Sequence, residues 1–169
     1  MSEKNMAQSA LYLTFKLEDE MFSAEVSQVR EILDFTAITK IPRTPDFVRG
    51  VINVRGAVVP VVDMRLKFGM KGVESTVNTR IIVLEVKQDG ETTVLGALAD
   101  SVHDVIELEA DQIEPPPRIG SRWRTELIRG IGKRDGDFII ILDVDRVFSS
   151  DELALLDTTV TKAPSEATV

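Results

Sequence analysis

Few side chains in this chain could do covalent chemistry. It has one histidine, His103, and no cysteine, so neither a zinc site nor a Cys/His nucleophile pair can be assembled. Asp100 and Asp104 could be imagined as an acid pair. At i, i+4 near the expected start of a helix, stabilisation by the helix dipole explains them more simply. No G-x-S-x-G elbow, P-loop or G-x-G-x-x-G fingerprint occurs. Gly130-Ile131-Gly132 falls inside an expected hairpin strand, the wrong context for a nucleotide loop. Lys133-Arg134, and Arg122 and Arg124 flanking Trp123, read as surface charge, and Pro115-Pro116-Pro117 as a stiff connector. Recognition chemistry remains, and it rests on two residues: Arg55, a guanidinium where a turn prefers something smaller, and Glu31.

The elements that must position them are two matching hairpins. Arg49-Gly50-Val51-Ile52-Asn53-Val54-Arg55-Gly56 runs through Val59-Pro60-Val61-Val62 to Asp63. It aligns without a gap, at an offset of 80, with Arg129-Gly130-Ile131-Gly132-Lys133-Arg134-Asp135-Gly136 and its continuation to Asp143. Each copy is an Arg-Gly opening, a strand, a two-residue turn ending in Gly (Gly56 or Gly136), and an apolar strand ending at Asp. A second match, Val29-Arg30-Glu31-Ile32-Leu33 with Val102-His103-Asp104-Val105-Ile106 at an offset of 73, extends the duplication. The second turn, Asp135-Gly136, suits positive φ. Arginine at the first turn is poorer there by about 1 kcal/mol, which suggests a second duty such as pairing with a carboxylate. Asp104 keeps the sign of Glu31, which mildly favours a structural role at that place.

Leu11, Leu13, Phe15 and Leu17 alternate with more polar residues and predict a strand, with Met21 to Val26 returning. Val26, Val29, Ile32 and Leu33 then stand at helical spacing. A short amphipathic helix is expected there, with Gln28, Arg30 and Glu31 toward water, and again over Ser101 to Ile106. Ile41 to Pro45 is a proline-braced loop. Pro60 cannot donate to a ladder, so its strand is expected at an edge or with a bulge. Met64 to Phe68 reads as a helical turn and Gly69 to Asn78 as a loop. Ile81 to Val86 and Thr93 to Ala99 read as strands. Ser149 and Glu152 form a capping box with Phe148 and Leu153 at the staple positions, so a C-terminal helix is expected over 149–156. Residues 1–9 and 157–169 read as flexible termini. The expected architecture is mainly β: two five-stranded β-barrel lobes side by side, approximately 11–75 and 76–150, plus that helix.

Composition sets the outer bounds. A chain of 169 residues, 43% hydrophobic, can fill a globular interior. A net charge of -8 argues against nucleic acid, and 5% aromatics leave little for stacking platforms. Apolar runs stop at five or six residues, far short of the roughly 20 that span a bilayer. No signal peptide is apparent, and a soluble cytosolic protein is expected. No metal or other cofactor is expected.

Val29-Arg30-Glu31-Ile32, Gly50 through Gly56, and Val59-Pro60-Val61-Val62-Asp63 resemble the CheW family of chemotaxis coupling proteins. So do Asp100-Ser101-Val102, Ile113 through Pro117, Gly130 through Lys133 and Ile141-Leu142-Asp143, in the same order and spacing. The resemblance covers roughly Leu11 to Leu156, with Val54 where Leu is usual and Gly132 where Val is common. It implies two SH3-like barrels in a CheW-like domain, 11–156, without enzymatic activity. It further implies an adaptor between the cytoplasmic tips of methyl-accepting chemoreceptors and the histidine kinase CheA, through the kinase's regulatory domain. The place of work would be cytoplasmic, at receptor arrays on the inner face of the membrane. By motif position, Val29, Glu31, Ile32, Asn53 and Arg55 are implied in receptor or kinase contact, and Glu31 and Arg55 are expected to pair beside an apolar groove. Gly50, Gly56, Pro60, Gly130 and Gly136 are expected to shape the hairpins. Two other readings stay open: a coupler in a chemosensory-like pathway other than flagellar chemotaxis, and a small β-barrel ligand-binding module.

Overall fold

The computed structural model describes residues 9–71, 74–116 and 127–156. The chain runs through β1 (Ala10–Leu17), β2 (Glu20–Glu25), β3 (Val29–Asp34), β4 (Val48–Val54), β5 (Ala57–Val62), β6 (Arg80–Gln88), β7 (Glu91–Ala99), β8 (Ser101–Leu108), β9 (Ile113–Glu114), β10 (Ile128–Arg134) and β11 (Asp137–Leu142). Short helices cover Met64–Lys67 and 150–156. The fold is mainly β, as expected, and forms two curled sheets. One has the order β8-β1-β2-β11-β10-β9, the other β3-β6-β7-β5-β4. We call each curled sheet a lobe, and number them so that the first lobe is the one containing β3 to β7.

The duplication is present in the pairings, but the lobes are not the sequence halves 11–75 and 76–150. Hairpin β1–β2 sits in the sheet built by β8 to β11, and hairpin β6–β7 in the sheet built by β3 to β5. Each half therefore lends its first hairpin to the other. The joints match as well: β5 runs parallel to β7 through Val61–Gly96 and Val62–Ala97, and β11 runs parallel to β2 through Ile140–Phe22 and Ile141–Ser23.

The two Arg-Gly openings are bulges. Register shifts between Val48 and Gly50, and between Ile128 and Gly130, leave Arg49 and Arg129 as the extra residues. Both following glycines permit a close approach. A Cβ on Gly50, at φ 144°, would meet the Thr39 carbonyl oxygen at 2.1 Å, and one on Gly130 the Glu114 carbonyl oxygen at 2.7 Å. Pro60 is not on an edge strand, because β5 lies between β4 and β7. It is accommodated because its partner Val51 turns both its N–H and its carbonyl to Thr39 (2.8 and 2.9 Å), so β4 asks no hydrogen bond of it, and because on the other side the pairing with β7 begins only at Val61.

The two expected amphipathic helices are strands. Val26–Gln28 makes only a 3-10 turn before β3, and Ser101 to Ile106 lies within β8. The helical spacing of apolar residues comes from a turn followed by a bulge, which interrupts the strand period between Val29 and Glu31. β-Branched Val29 and Ile32 suit the strand. Gln28 is buried rather than solvated, donating from Nε2 to Asp145 Oδ1 at 2.7 Å and to the Glu85 carbonyl at 3.2 Å.

Each lobe has its own small apolar cluster: Ile52, Val59, Val61, Ile81 and Leu98 in one, Tyr12, Ile106, Leu108, Ile139 and Ile141 in the other. A larger shared core between them includes Phe15, Phe22, Leu84, Leu95 and Phe148. At its margin lies a buried ion cluster. Arg65 donates from Nε and Nη2 to the two Asp63 oxygens (2.9 and 2.8 Å), and from Nη1 to Asp100 Oδ1 (2.6 Å). Asp100 Oδ2 accepts the Glu18 N–H at the β1–β2 turn, so one guanidinium connects both lobes.

The C-terminal helix is capped as expected: Glu152 N–H donates to Ser149 Oγ (3.1 Å) and Ser149 N–H to Glu152 Oε1 (2.8 Å). Phe148 and Leu153 are buried. Burial alone would raise the Glu152 carboxyl, but the Lys67 ammonium and the Ser149 N–H outweigh it and hold it below the ordinary value. Pro117, the Arg122-Trp123-Arg124 cluster and residues 1–8 and 157–169, read above as connector, surface charge and flexible ends, lie outside the described residues.

Three outcomes follow for stability. Gly50→Ala lowers the unfolding free energy by about 2 kcal/mol or more, against about 1 kcal/mol for Gly56→Ala, whose Cβ meets nothing within 4 Å; denaturant midpoints at constant slope give the comparison. Arg65→Met leaves the fully buried Asp63 charge with only the longer contact to Arg49 Nη1 at 3.4 Å, and costs about 3 kcal/mol by the same measurement. Glu152→Gln keeps the capping geometry but loses the charge. Since the folded-state pKa is depressed, wild type is more stable at pH 7, and the gap between the two closes as pH falls below about 4.5, seen in thermal melts across pH.

Candidate functional site

Arg55 occupies the first central position of the β4–β5 turn with φ 54°, followed by Gly56 at φ 89°. The second hairpin repeats this with Asp135 at 51° and Gly136 at 82°. The first turn is braced by Asn53, whose Oδ1 accepts the Gly56 N–H at 2.8 Å. Asn53 therefore acts on the site through the turn that presents Arg55.

Arg55 Nε lies 3.3 Å from Glu31 Oε2, and Nη2 lies 3.3 Å from Oε1, a two-point guanidinium–carboxylate pair. The Glu31 side chain is 26% exposed and that of Arg55 82%. The hydrogen bonds from Arg55 to Glu31, and then the charge of that carboxylate, raise the guanidinium pKa further above its ordinary value. β3 and β4 are the two ends of their sheet, so this pair spans the seam where the sheet curls back on itself. The expected pairing of Glu31 with Arg55 is formed, from a strand rather than from a helix.

Ile32 is 42% exposed beside Glu31 on β3. Val29 separates from this group, being half-buried against the shared core. Sequence reasoning passed over Phe35, 39% exposed just beyond β3, although an aromatic between polar Asp34 and Thr36 is a visible signal. It also passed over the ion pair from Arg30 Nε to Glu85 Oε2 at 2.6 Å, which ties β3 to β6. The glycines and Pro60 shape backbone and carry no contact chemistry.

The residues weighed for catalysis are dispersed. Asp100 is committed to Arg65 and the Glu18 N–H. Asp104 lies in β8, so no helix dipole acts on it. Its backbone N–H and carbonyl both engage the Thr14 hydroxyl at 2.9 Å. His103 Nε2 is 2.9 Å from Ser101 Oγ, an exposed contact. Among the described residues no group of three or more His, Asp or Glu is placed to hold a metal ion. No helix among them is long and apolar enough to cross a membrane.

Known proteins share both the sequence and the fold of this chain. Residues 11–152 match the CheW-like domain. Chemotaxis protein CheW of Klebsiella aerogenes is 38% identical over 146 residues, covering 86% of this chain and 86% of that protein. Chemotaxis protein CheW of Rhizobium meliloti is 39% identical over 140 residues, covering 83% and 88%. In three dimensions the chain is similar to the crystal structure of scaffolding protein TtCheW from Thermoanaerobacter tengcongensis, with TM-score 0.74, 34% identity, and coverage of 85% and 94%. Duplicated β architecture, paired hairpin turns and chain-long similarity converge: the chain belongs to the CheW family, the non-enzymatic adaptors of chemotaxis signalling.

Proposed function

We propose that the surface formed by Glu31, Arg55 and Ile32 is where this adaptor engages the cytoplasmic tip of a methyl-accepting chemoreceptor and the regulatory domain of the histidine kinase CheA, in arrays on the inner face of the membrane. The observation that carries the reading is the Glu31–Arg55 pair: a guanidinium 82% exposed, in a strained turn, yet oriented at two points by a half-buried carboxylate. An exposed pair of this kind adds little to folding stability. Its use is orientation, since a pre-set guanidinium loses less rotamer freedom when a partner carboxylate or carbonyl approaches its outer edge.

The neighbours fit such a role. Exposed Ile32 in β3 and Phe35 just beyond it supply apolar area on the segment that carries Glu31, and a contact centre with a polar rim needs such area. Asn53 holds the turn, and Val29 anchors β3 to the core beneath. The pair straddles the sheet seam, so binding there would bear on both edge strands at once.

Arg55→Ala should reduce retention of a receptor signalling fragment together with the CheA regulatory domain at least tenfold in a pull-down, while the melting temperature moves by no more than about 2 °C. Unchanged retention, or parallel loss of fold and binding, would count against the assignment.

A further inference from the structure

We propose that the second lobe carries a separate docking groove for a cationic polypeptide segment of a partner protein, one in which Arg or Lys flanks apolar residues. The groove, about 460 Å³, lies between the β1–β2 turn, β8 and the β10–β11 hairpin. Met21, Ile106 and Ile139 line its apolar part. Phe138, 65% exposed, lines it too, whereas its repeat counterpart Val58 is half-buried. Five carboxylates, those of Asp19, Glu20, Asp104, Asp135 and Asp137, line it as well, with Arg134 and His103 as the basic members.

The duplication supplies the argument for what fits. The groove holds the counterparts of the first-lobe pair: Asp104 stands where Glu31 stands, at the offset of 73, and Asp135 where Arg55 stands, at the offset of 80. In the first lobe the chain meets the carboxylate with its own guanidinium. In the second, both places are acidic, and among the described residues no Lys or Arg lies within ion-pair distance of Asp104. Arg134 is 3.8 Å from Asp135, which leaves the set strongly negative.

A bare metal ion does not suit the place, because these carboxylates do not converge as a group of three. Nucleic acid and anionic ligands are repelled. An Arg or Lys side chain suits both halves of the surface, its aliphatic stem on the apolar lining and its charge among the carboxylates. Phe138 adds an aromatic face for the same cation.

The test is a titration of the full chain, followed by amide chemical shifts, with a twelve-residue amphipathic peptide of arginine and leucine. The same peptide with glutamate in place of arginine is the control. The arginine peptide should perturb β8 and the β10–β11 turn, bind more weakly as salt is raised, and lose at least tenfold in affinity to the variant carrying Asp104→Lys and Asp135→Lys. Glu31→Lys in the first lobe should leave that affinity unchanged, which separates this groove from the surface proposed above. Equal binding of the glutamate peptide, perturbation confined to other surfaces, or no binding at millimolar peptide would overturn the proposal. So would a concentration-dependent dimer abolished by Phe138→Ser, because a second copy of the chain would then be the occupant.

Discussion

Neither lobe closes its sheet from its own half of the chain. The first needs β6 and β7 and the second needs β1 and β2, so each sheet is complete only when both halves of the chain are in place. Parallel joints of only two residue pairs each, at Val61–Val62 with Gly96–Ala97 and at Ile140–Ile141 with Phe22–Ser23, hold the borrowed hairpins in place. The shared core of Phe15, Phe22, Leu84, Leu95 and Phe148 lies where the hairpins cross over. Packing there brings together residues distant in sequence, so the loop-closure entropy is recovered only when both lobes are nearly assembled. Arg65 sits at the same crossing, and its bonds to Asp63 and Asp100 make the contact between lobes specific as well as apolar.

The two copies put different chemistry on equivalent positions. At the crossing, Arg65 reaches Asp100, whereas its counterpart Asp145 accepts from Gln28 and from the Lys87 N–H. In each case a carboxylate accepts a backbone N–H, that of Glu18 in the β1–β2 turn in one and that of Lys87 within β6 in the other. At the hairpin turns the divergence is in charge: Arg55 against Asp135, with φ of 54° and 51°. The same left-handed geometry is filled by a residue that suits it and by one that does not, and the unsuited one carries the ion pair to Glu31. Backbone strain and surface chemistry are thus linked in the first lobe and separate in the second.

The hairpins, their turn residues, the capping box at Ser149 and the duplication were legible in the sequence because each depends on neighbours within a few positions. So was a second duty for Arg55, since a poor turn former stands out against its repeat copy, whereas Glu31 as its partner followed from the family resemblance. The short helices expected over Val26 to Leu33 and Ser101 to Ile106 were misread, because a bulge shifts a strand's period and mimics helical spacing.

The sequence by itself determined that this is a duplicated, mainly β chain of the CheW family with a guanidinium at its first turn. Tertiary structure alone decided which half each hairpin joins, that Pro60 can lie inside a sheet, and that Arg65, Asp63 and Asp100 meet. Local propensity and periodicity carry no record of partners tens of residues away. Hairpin exchange leaves every hairpin's own pattern unchanged, so only packing between the lobes distinguishes it from two independent barrels.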